Sequence, residues 1–248
     1  MKRVLGYLLT PFFYLYYAVI LIGLHPVQVA VHRIFGDKAR RKVVDFLNLS
    51  LVKGFLILGC KIKYAGNEKI PENRPLIVVS NHQSMHDIPA IGHVFKKFYP
   101  KFISKIELSK YYPSISYNLK HGKSALIDRK KGTQAVKEIF KLGRLIEENN
   151  YAACIFPEGT RSNSGIVKNF MTAGISTLYR AAPSAVIVPF IINGHSQFME
   201  KGLFPLKFGQ RITYTVLDPV EPKGQPMDEI VSRIEDSIKR ALDQDTIS

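Results

Sequence analysis

Two cysteines in 248 residues, Cys60 and Cys154, stand far apart and form no CxxC pair, zinc pattern or disulfide framework. A reducing compartment is the default expectation, and no metal site is expected. The chain lacks both GxGxxG and the P-loop pattern, so neither a dinucleotide fold nor a P-loop nucleotide site is indicated. It has no internal repeat, low-complexity tract or Gly/Ser linker. Acidic residues are scarce: 20 Asp+Glu against 35 Lys+Arg leave a formal net charge of +15. That imbalance suggests an anionic partner, either a membrane surface, nucleic acid or a phosphorylated substrate. Zinc-finger, RNP and basic-zipper signatures are missing, so nucleic acid is not expected. What remains, 46% hydrophobic and 22% charged with 17 Gly and 14 Pro, is the composition of a globular protein and excludes disorder, collagen and coiled coil. The length suits one large domain, or one domain with a small appendage.

The N-terminus favours the membrane. After Met1-Lys2-Arg3 come 21 uncharged positions, Val4 to Leu24. At about 1.5 Å per helical residue they reach across a hydrocarbon core of roughly 30 Å. Pro11 falls inside this run, and Tyr7, Phe12, Phe13, Tyr14, Tyr16 and Tyr17 crowd its first half, as aromatic rings do at a lipid–water boundary. A spanning helix and an interfacial helix both fit this pattern. The run is longer than a signal-peptide core and no small-x-small site follows it, so cleavage is not expected. Beyond the basic stretch Lys38-Ala39-Arg40-Arg41-Lys42, the residues Val44, Leu47, Leu51, Phe55 and Leu58 recur at helical spacing, interrupted by Asp45, Asn48 and Lys53. They predict an amphipathic helix, either packed in a core or lying on a bilayer. Residues 1–59 are therefore expected to form a pair of membrane-docking helices.

Residues 60–248 read as a single α/β domain with a largely parallel or mixed sheet flanked by helices. Short runs rich in Val, Ile, Phe or Tyr predict strands at Lys61 to Tyr64, Pro75 to Ser80, Lys101 to Ser104, Ser124 to Ile127, Ala152 to Phe156, Ala185 to Ile192 and Arg211 to Leu217. Helical patterns lie between them at Ile88 to Lys96, Thr133 to Glu148, Ile175 to Ala181 and Met227 to Leu242.

Polar chemistry collects where strands end. The apolar strand 75–80 runs into Asn81-His82-Gln83-Ser84-Met85-His86-Asp87. With His82 and Asp87 five residues apart, the carboxylate can turn back on the imidazole, fix its tautomer and leave the other ring nitrogen free to accept a proton from a hydroxyl. Two plainer readings stand beside this one: Asp87, two residues before Pro89, suits a helix N-cap, and His86 can compete for the same carboxylate. A second strand delivers Pro157-Glu158-Gly159-Thr160-Arg161-Ser162. Its flexible glycine, exposed backbone donors and guanidinium are the groups that grip a phosphate, although a turn with a surface ion pair has the same composition.

Taken together, Asn-His-x-x-x-x-Asp and, about 75 residues later, Phe-Pro-Glu-Gly-Thr-Arg-Ser resemble the glycerolipid acyltransferases, specifically the 1-acyl-sn-glycerol-3-phosphate acyltransferase family of bacterial type. Lys105-Ile106-Glu107-Leu108 and Ile127-Asp128-Arg129 resemble the ends of that family's second block, and Val188-Pro189-Phe190-Ile191-Ile192-Asn193-Gly194 resembles its fourth. The resemblance implies acyl transfer from acyl-CoA or acyl carrier protein to the sn-2 hydroxyl of lysophosphatidic acid, giving phosphatidic acid. The acyl donor is then a co-substrate and no further cofactor is implied. It also implies a membrane-associated protein whose active site faces the cytoplasm, at the inner membrane if the source is bacterial. His82 would be the general base and Asp87 its orienting partner; Arg161, with Glu158, Gly159, Thr160, Lys105 and Arg129, would form the acceptor-phosphate site. Backbone amides around Gly159 or Gly194 are candidate oxyanion donors.

The match has departures. Family members commonly carry an aromatic-aromatic-glycine where Ser114-Ile115-Ser116 follow Pro113, a glycine where Lys123 stands, and Phe-Lys-x-Gly where Phe170-Met171-Thr172-Ala173 stand, with Lys168 and Gly174 nearby. These keep open O-acylation of another lysolipid, such as a lyso-aminolipid. A non-catalytic membrane-bound protein that binds lipid or acyl carrier is the alternative of another class. From Lys96 to Arg144, 13 Lys/Arg meet three acids, a face suited to anionic lipid, a lysophosphatidate headgroup or the acyl donor.

Overall fold

The computed structural model describes residues 1–244. Seven strands, β1 (Lys61–Ala65), β2 (Leu76–Ser80), β3 (Lys101–Lys105), β4 (Ala125–Ile127), β5 (Ala152–Ile155), β6 (Val186–Asn193) and β7 (Arg211–Val216), form one sheet in the order β1-β7-β6-β2-β5-β3-β4. Only the β6–β7 pairing is antiparallel, so β6, β2, β5, β3 and β4 all point their carboxyl ends the same way. This is the mixed sheet read from the sequence.

Strands buried on both faces are continuously apolar, and β2, Leu-Ile-Val-Val-Ser, is buried at every residue. Side-chain alternation sorts it into two layers. Leu76 and Val78 face a core shared with the N-terminal helices and α2 (Asp87–Val94), whereas Ile77 and Val79 face α4 (Gly132–Asn149), α5 (Thr172–Ala181) and α7 (Met227–Ala241). The short helices α3 (Ile115–His121) and α6 (His195–Phe198) have too few turns to show a period, and the sequence reading did not anticipate them.

The N-terminal helix α1 (Lys2–Lys53) passes through Pro11 and Pro26 but breaks at Gly36, whose φ of 76° and ψ of −172° lie outside the helical region and suit only glycine. It is thus two helices in succession, 2–35 and 37–53. The first lies along the domain. Phe13 is fully buried against Phe55 and Phe198, Thr10 Oγ1 accepts the Leu206 amide at 2.9 Å, and Ser114 Oγ donates to the Leu21 carbonyl at 2.8 Å. Tyr16 and Tyr17 donate to the carbonyls of Ser50 and Leu51, closing the first helix on the second. Arg40, from the basic stretch, is not a solvated charge: it is fully buried, paired with Asp37 and bonded to Asn118 Oδ1 at 2.8 Å, which fastens the second helix to α3.

The outer face of the first helix is also apolar. Val4, Leu8, Phe12, Leu15, Val19 and Ile22 follow one another at three- or four-residue steps and are each more than half exposed. Among the described residues α1, counted to Leu58, is the one helix long and apolar enough to cross a membrane by length and composition. One side of it belongs to the protein core, and the other has no protein partner among the described residues.

Candidate active site

At the end of β2, Asn81 clamps the strand to β6 by exchanging two hydrogen bonds with the main chain of Ile192, at 2.8 and 2.9 Å. His82 follows at once. Its Nδ1 lies 2.7 Å from Asp87 Oδ2. An ionised carboxylate only accepts, so Nδ1 carries the proton and Nε2 keeps its lone pair. Among the described residues no protein group meets that Nε2, and the side chain is 18% exposed. The ring lies on Phe156, with centroids 4.0 Å apart and planes 15° apart, which sets its tilt.

Asp87 is fully buried and fully used. Oδ2 also accepts the amides of Gln83 (2.7 Å) and Ser84 (2.9 Å), while Oδ1 lies 2.6 Å from His195 Nδ1 and accepts Ser84 Oγ at 3.2 Å. Burial alone pushes this carboxyl up, but the hydrogen bonds from His195 and His82 reverse the effect and hold it well below the usual carboxylate range. Asp87 starts α2, yet its carboxylate turns back onto the preceding loop and does not cap the helix.

The second loop is bolted to the first through the main chain of His82. Glu158 Oε1 accepts the His82 amide at 2.7 Å, and the Ser162 amide donates to the His82 carbonyl at 2.8 Å. Glu158 Oε2 accepts the Lys168 amide at 3.1 Å. Both oxygens of this buried carboxylate are thus directed at backbone amides, which leaves Glu158 a brace for the loop and gives a phosphate no donor. Burial raises its pKa. Gly159, at φ 69°, turns the chain with its own amide closed onto the Phe156 carbonyl at 3.1 Å. The next two amides, of Thr160 and Arg161, meet no protein acceptor among the described residues, and both residues are exposed. Lys168 Nζ donates to the Arg161 carbonyl at 3.1 Å, bringing a second cation to the loop.

Lys105 is the last residue of β3, paired in register with Ile127, and Arg129 comes two residues after β4. Both are exposed. His82, the 158–161 loop, Lys105 and Arg129 therefore line the carboxyl edge of four neighbouring parallel strands, β2-β5-β3-β4. Open α/β sheets bind their ligands at that edge. Strand order brings Lys105 and Arg129 to the same sheet edge as the Glu-Gly-Thr-Arg loop, although they are far from it in sequence.

Two members of the site have no motif signal. His195, just past the fourth block, is fully buried and makes the second hydrogen bond to Asp87; Tyr214 on β7 meets its other nitrogen at 2.9 Å. The histidine that does share Asp87 is thus not His86. The His86 ring points away into Phe13, Tyr17, Phe55 and Phe198, where burial pushes its pKa down to about 3 and its Nε2 has no partner among the described residues. Neither cysteine serves as a nucleophile: both are buried, and burial raises the Cys60 thiol to about 11 and Cys154 further. Among the described residues no cluster of metal-ligating side chains is found.

Residues 61–193, from the start of β1 to the end of β6, match the acyltransferase family. The chain belongs to that family. The mouse 1-acyl-sn-glycerol-3-phosphate acyltransferase alpha is 25% identical over 200 residues, 80% of this chain and 68% of that protein. The human beta form is 26% identical over 203 residues, 79% and 70% of the two chains. The crystal structure of the LPA acyltransferase PlsC from Thermotoga maritima superposes on this acyltransferase with a TM-score of 0.80 at 24% identity, covering 100% of this chain and 99% of that one. The shared fold therefore includes the N-terminal helices as well as the sheet.

Proposed function

We propose that this acyltransferase moves an acyl group from a thioester to the sn-2 hydroxyl of 1-acylglycerol 3-phosphate, forming phosphatidic acid. The observation that carries the reading is the His82–Asp87 pair, protonated at Nδ1 and open at Nε2, tied through one backbone to a loop that presents Arg161. The relatives named for that reaction support the choice of substrate.

In the reaction, His82 Nε2 takes the acceptor hydroxyl proton as the oxygen attacks the thioester carbonyl, and Asp87 stabilises the resulting imidazolium. The tetrahedral oxyanion collapses, the carbon–sulfur bond breaks, and the thiolate leaves with the proton from His82. A positioned base of this kind contributes roughly 10²- to 10⁴-fold, and alignment and oxyanion donors supply the rest. The open amides of Thr160 and Arg161 serve as oxyanion donors on this reading. Arg161 holds the acceptor phosphate, with Lys168, Lys105 and Arg129 adding positive charge along the same edge. The basic 96–144 face attracts the phosphates of coenzyme A or the acidic surface of acyl carrier protein. On this reading the exposed stripe of α1 lies in the lipid, the site faces the cytoplasm, and a lysolipid enters from the side.

A thiol-release assay on the purified protein, crossing acyl-CoA and acyl carrier protein with lysophosphatidic acid and phosphate-free lysolipids, tests this directly. Acceptor-dependent release restricted to phosphate-free lysolipids would replace the substrate assignment, and no release with any pair would leave a binding protein.

A further inference from the structure

Asp87 is shared by two imidazoles. His82 takes Oδ2 at 2.7 Å and His195 takes Oδ1 at 2.6 Å, so the carboxylate is held from both ends. His195 is fully enclosed, stacked on Phe55 with centroids 5.0 Å apart, and reaches no space that a substrate enters. Its two nitrogens have defined roles. Nδ1 faces a buried carboxylate and donates, so Nε2 is the acceptor and the Tyr214 hydroxyl, 2.9 Å away, donates to it. The backbone amide of His195 donates to Gln83 Oε1 at 3.0 Å, which locks the β6 end to the same loop that carries His82. The result is one directed chain from Tyr214 through His195 and Asp87 to His82, with every proton pointing toward the carboxylate.

We propose that His195, buttressed by Tyr214, is a positioning residue that fixes the Asp87 carboxylate and divides its negative charge between two imidazoles, so setting how firmly His82 holds the proton it abstracts. The proposal rests on the acyl-transfer reading and adds to it two residues outside the recognised blocks. A carboxylate with one strong donor fewer interacts more strongly with the remaining one. Loss of the His195 arm therefore has two effects of different kind. Asp87 keeps its bonds on Oδ2 but retains only Ser84 Oγ, at 3.2 Å, on Oδ1, which loosens its orientation and lowers turnover, and its charge falls more fully on His82, which favours the imidazolium. The titratable and charged groups around the chain are Asp87, His86 (6.4 Å from His195, ring to ring), Tyr64, Tyr17 and Cys60 near Tyr214, Glu158 on the His82 amide, and Arg161. Of these, only Asp87 bonds to both imidazoles.

The test uses the full-length protein and three variants, His195→Leu, His195→Asn and Tyr214→Phe. Asparagine places an amide N–H near the position of Nδ1 and keeps the donor to Asp87; leucine removes it; Tyr214→Phe removes only one hydroxyl and leaves the packed ring. For His195→Leu the expected result is a fall in kcat of about tenfold, the scale of a hydrogen bond to a charged group, with little change in acceptor KM. Its acid limb in the pH profile of kcat/KM moves upward by about half a unit or more. His195→Asn restores most of the rate and the limb. Tyr214→Phe shifts the limb in the same direction by a smaller amount, and it decides the matter if the leucine variant does not fold. Equal losses in the leucine and asparagine variants, or an unmoved acid limb in folded His195→Leu or Tyr214→Phe, would overturn the proposal. Absence of any turnover by the wild-type protein would instead overturn the acyl-transfer reading.

Discussion

The main-chain amide of His82 donates to the carboxylate of Glu158, 2.7 Å away and 76 residues distant in sequence. Two loops that look independent along the chain are thereby one rigid unit. The main chain of His82 on the first cannot move relative to the loop that carries Arg161 on the second without breaking a buried, charge-assisted hydrogen bond. This is the relationship that makes the carboxyl edge of the sheet a site, because alignment of acceptor and base is where much of the rate must come from.

Glu158→Gln tests it. One of the two amides bonded to Glu158 then faces an NH₂ group in place of an oxygen, which costs about 1–3 kcal/mol for an unsatisfied buried donor. Thermal denaturation should report that loss, and kcat should fall more than acceptor KM rises. A variant that loses acceptor affinity alone, at full stability, would put Glu158 in direct contact with substrate.

Arg161→Lys separates phosphate recognition from chemistry. The variant keeps the charge but loses the planar fork, so kcat/KM with lysophosphatidic acid should fall about tenfold to a hundredfold, the scale of a charge-assisted contact. With a phosphate-free acceptor the loss should be much smaller. Equal losses would move Arg161 from the acceptor to the donor or the fold.

Acid lability should trace to His86. Its value is depressed to about 3 from an ordinary 6.5 by burial, so the unfolded chain binds a proton below pH 6.5 that the folded one refuses. Stability is therefore full above pH 6.5 and declines as pH falls toward 3. Asp87, depressed below an ordinary 3.8, adds its own loss below that pH. His86→Phe, which suits a pocket of Phe13, Tyr17, Phe55 and Phe198, should flatten the decline between pH 6.5 and 4 in urea titrations. An unchanged slope there would show that another group carries the acid sensitivity.

Membrane attachment is best tested on the surface of α1. Removing residues 1–24 would take Phe13 out of the core along with the Thr10–Leu206 bond, so a truncated chain reports on folding as much as on lipid. Leu8→Gln, Leu15→Gln and Ile22→Gln together leave those contacts intact. Sedimentation with vesicles containing anionic lipid should show weaker and more salt-sensitive binding at unchanged melting temperature. Undiminished binding would place the lipid contact elsewhere.

What the sequence revealed follows from what local pattern encodes. The central strands β2, β5 and β6 were legible because strands buried on both faces are short, uninterrupted apolar runs, β1 and β7 were legible by alternation of apolar and polar residues, and His82, Asp87 and the Glu-Gly-Thr-Arg loop were legible because they follow such buried runs. His195 was not, since a lone histidine after a glycine carries no period and its partners Asp87 and Tyr214 are 108 and 19 residues away. The roles inside the second loop were equally hidden: Glu158 and Arg161 share a motif, but only the fold shows one carboxylate turned inward and the guanidinium exposed. Lys123 is a case where a departure becomes intelligible. It stands where relatives commonly have glycine and keeps the glycine conformation, φ 58°, so the backbone turn is retained. Gly36 hid the reverse, because nothing in composition distinguishes a helix that breaks at a glycine from one that tolerates it.

The proposed mechanism depends most directly on His82. Thiol release from an acyl thioester in the presence of lysophosphatidic acid should be lost by roughly 10²- to 10⁴-fold in His82→Ala, with the melting temperature and vesicle binding retained, because the variant removes a base and leaves the Asp87 and Glu158 hydrogen bonds to the backbone in place. Near wild-type release by a folded His82→Ala protein would contradict the assignment of the base and, with it, the mechanism built on the carboxyl edge of the sheet.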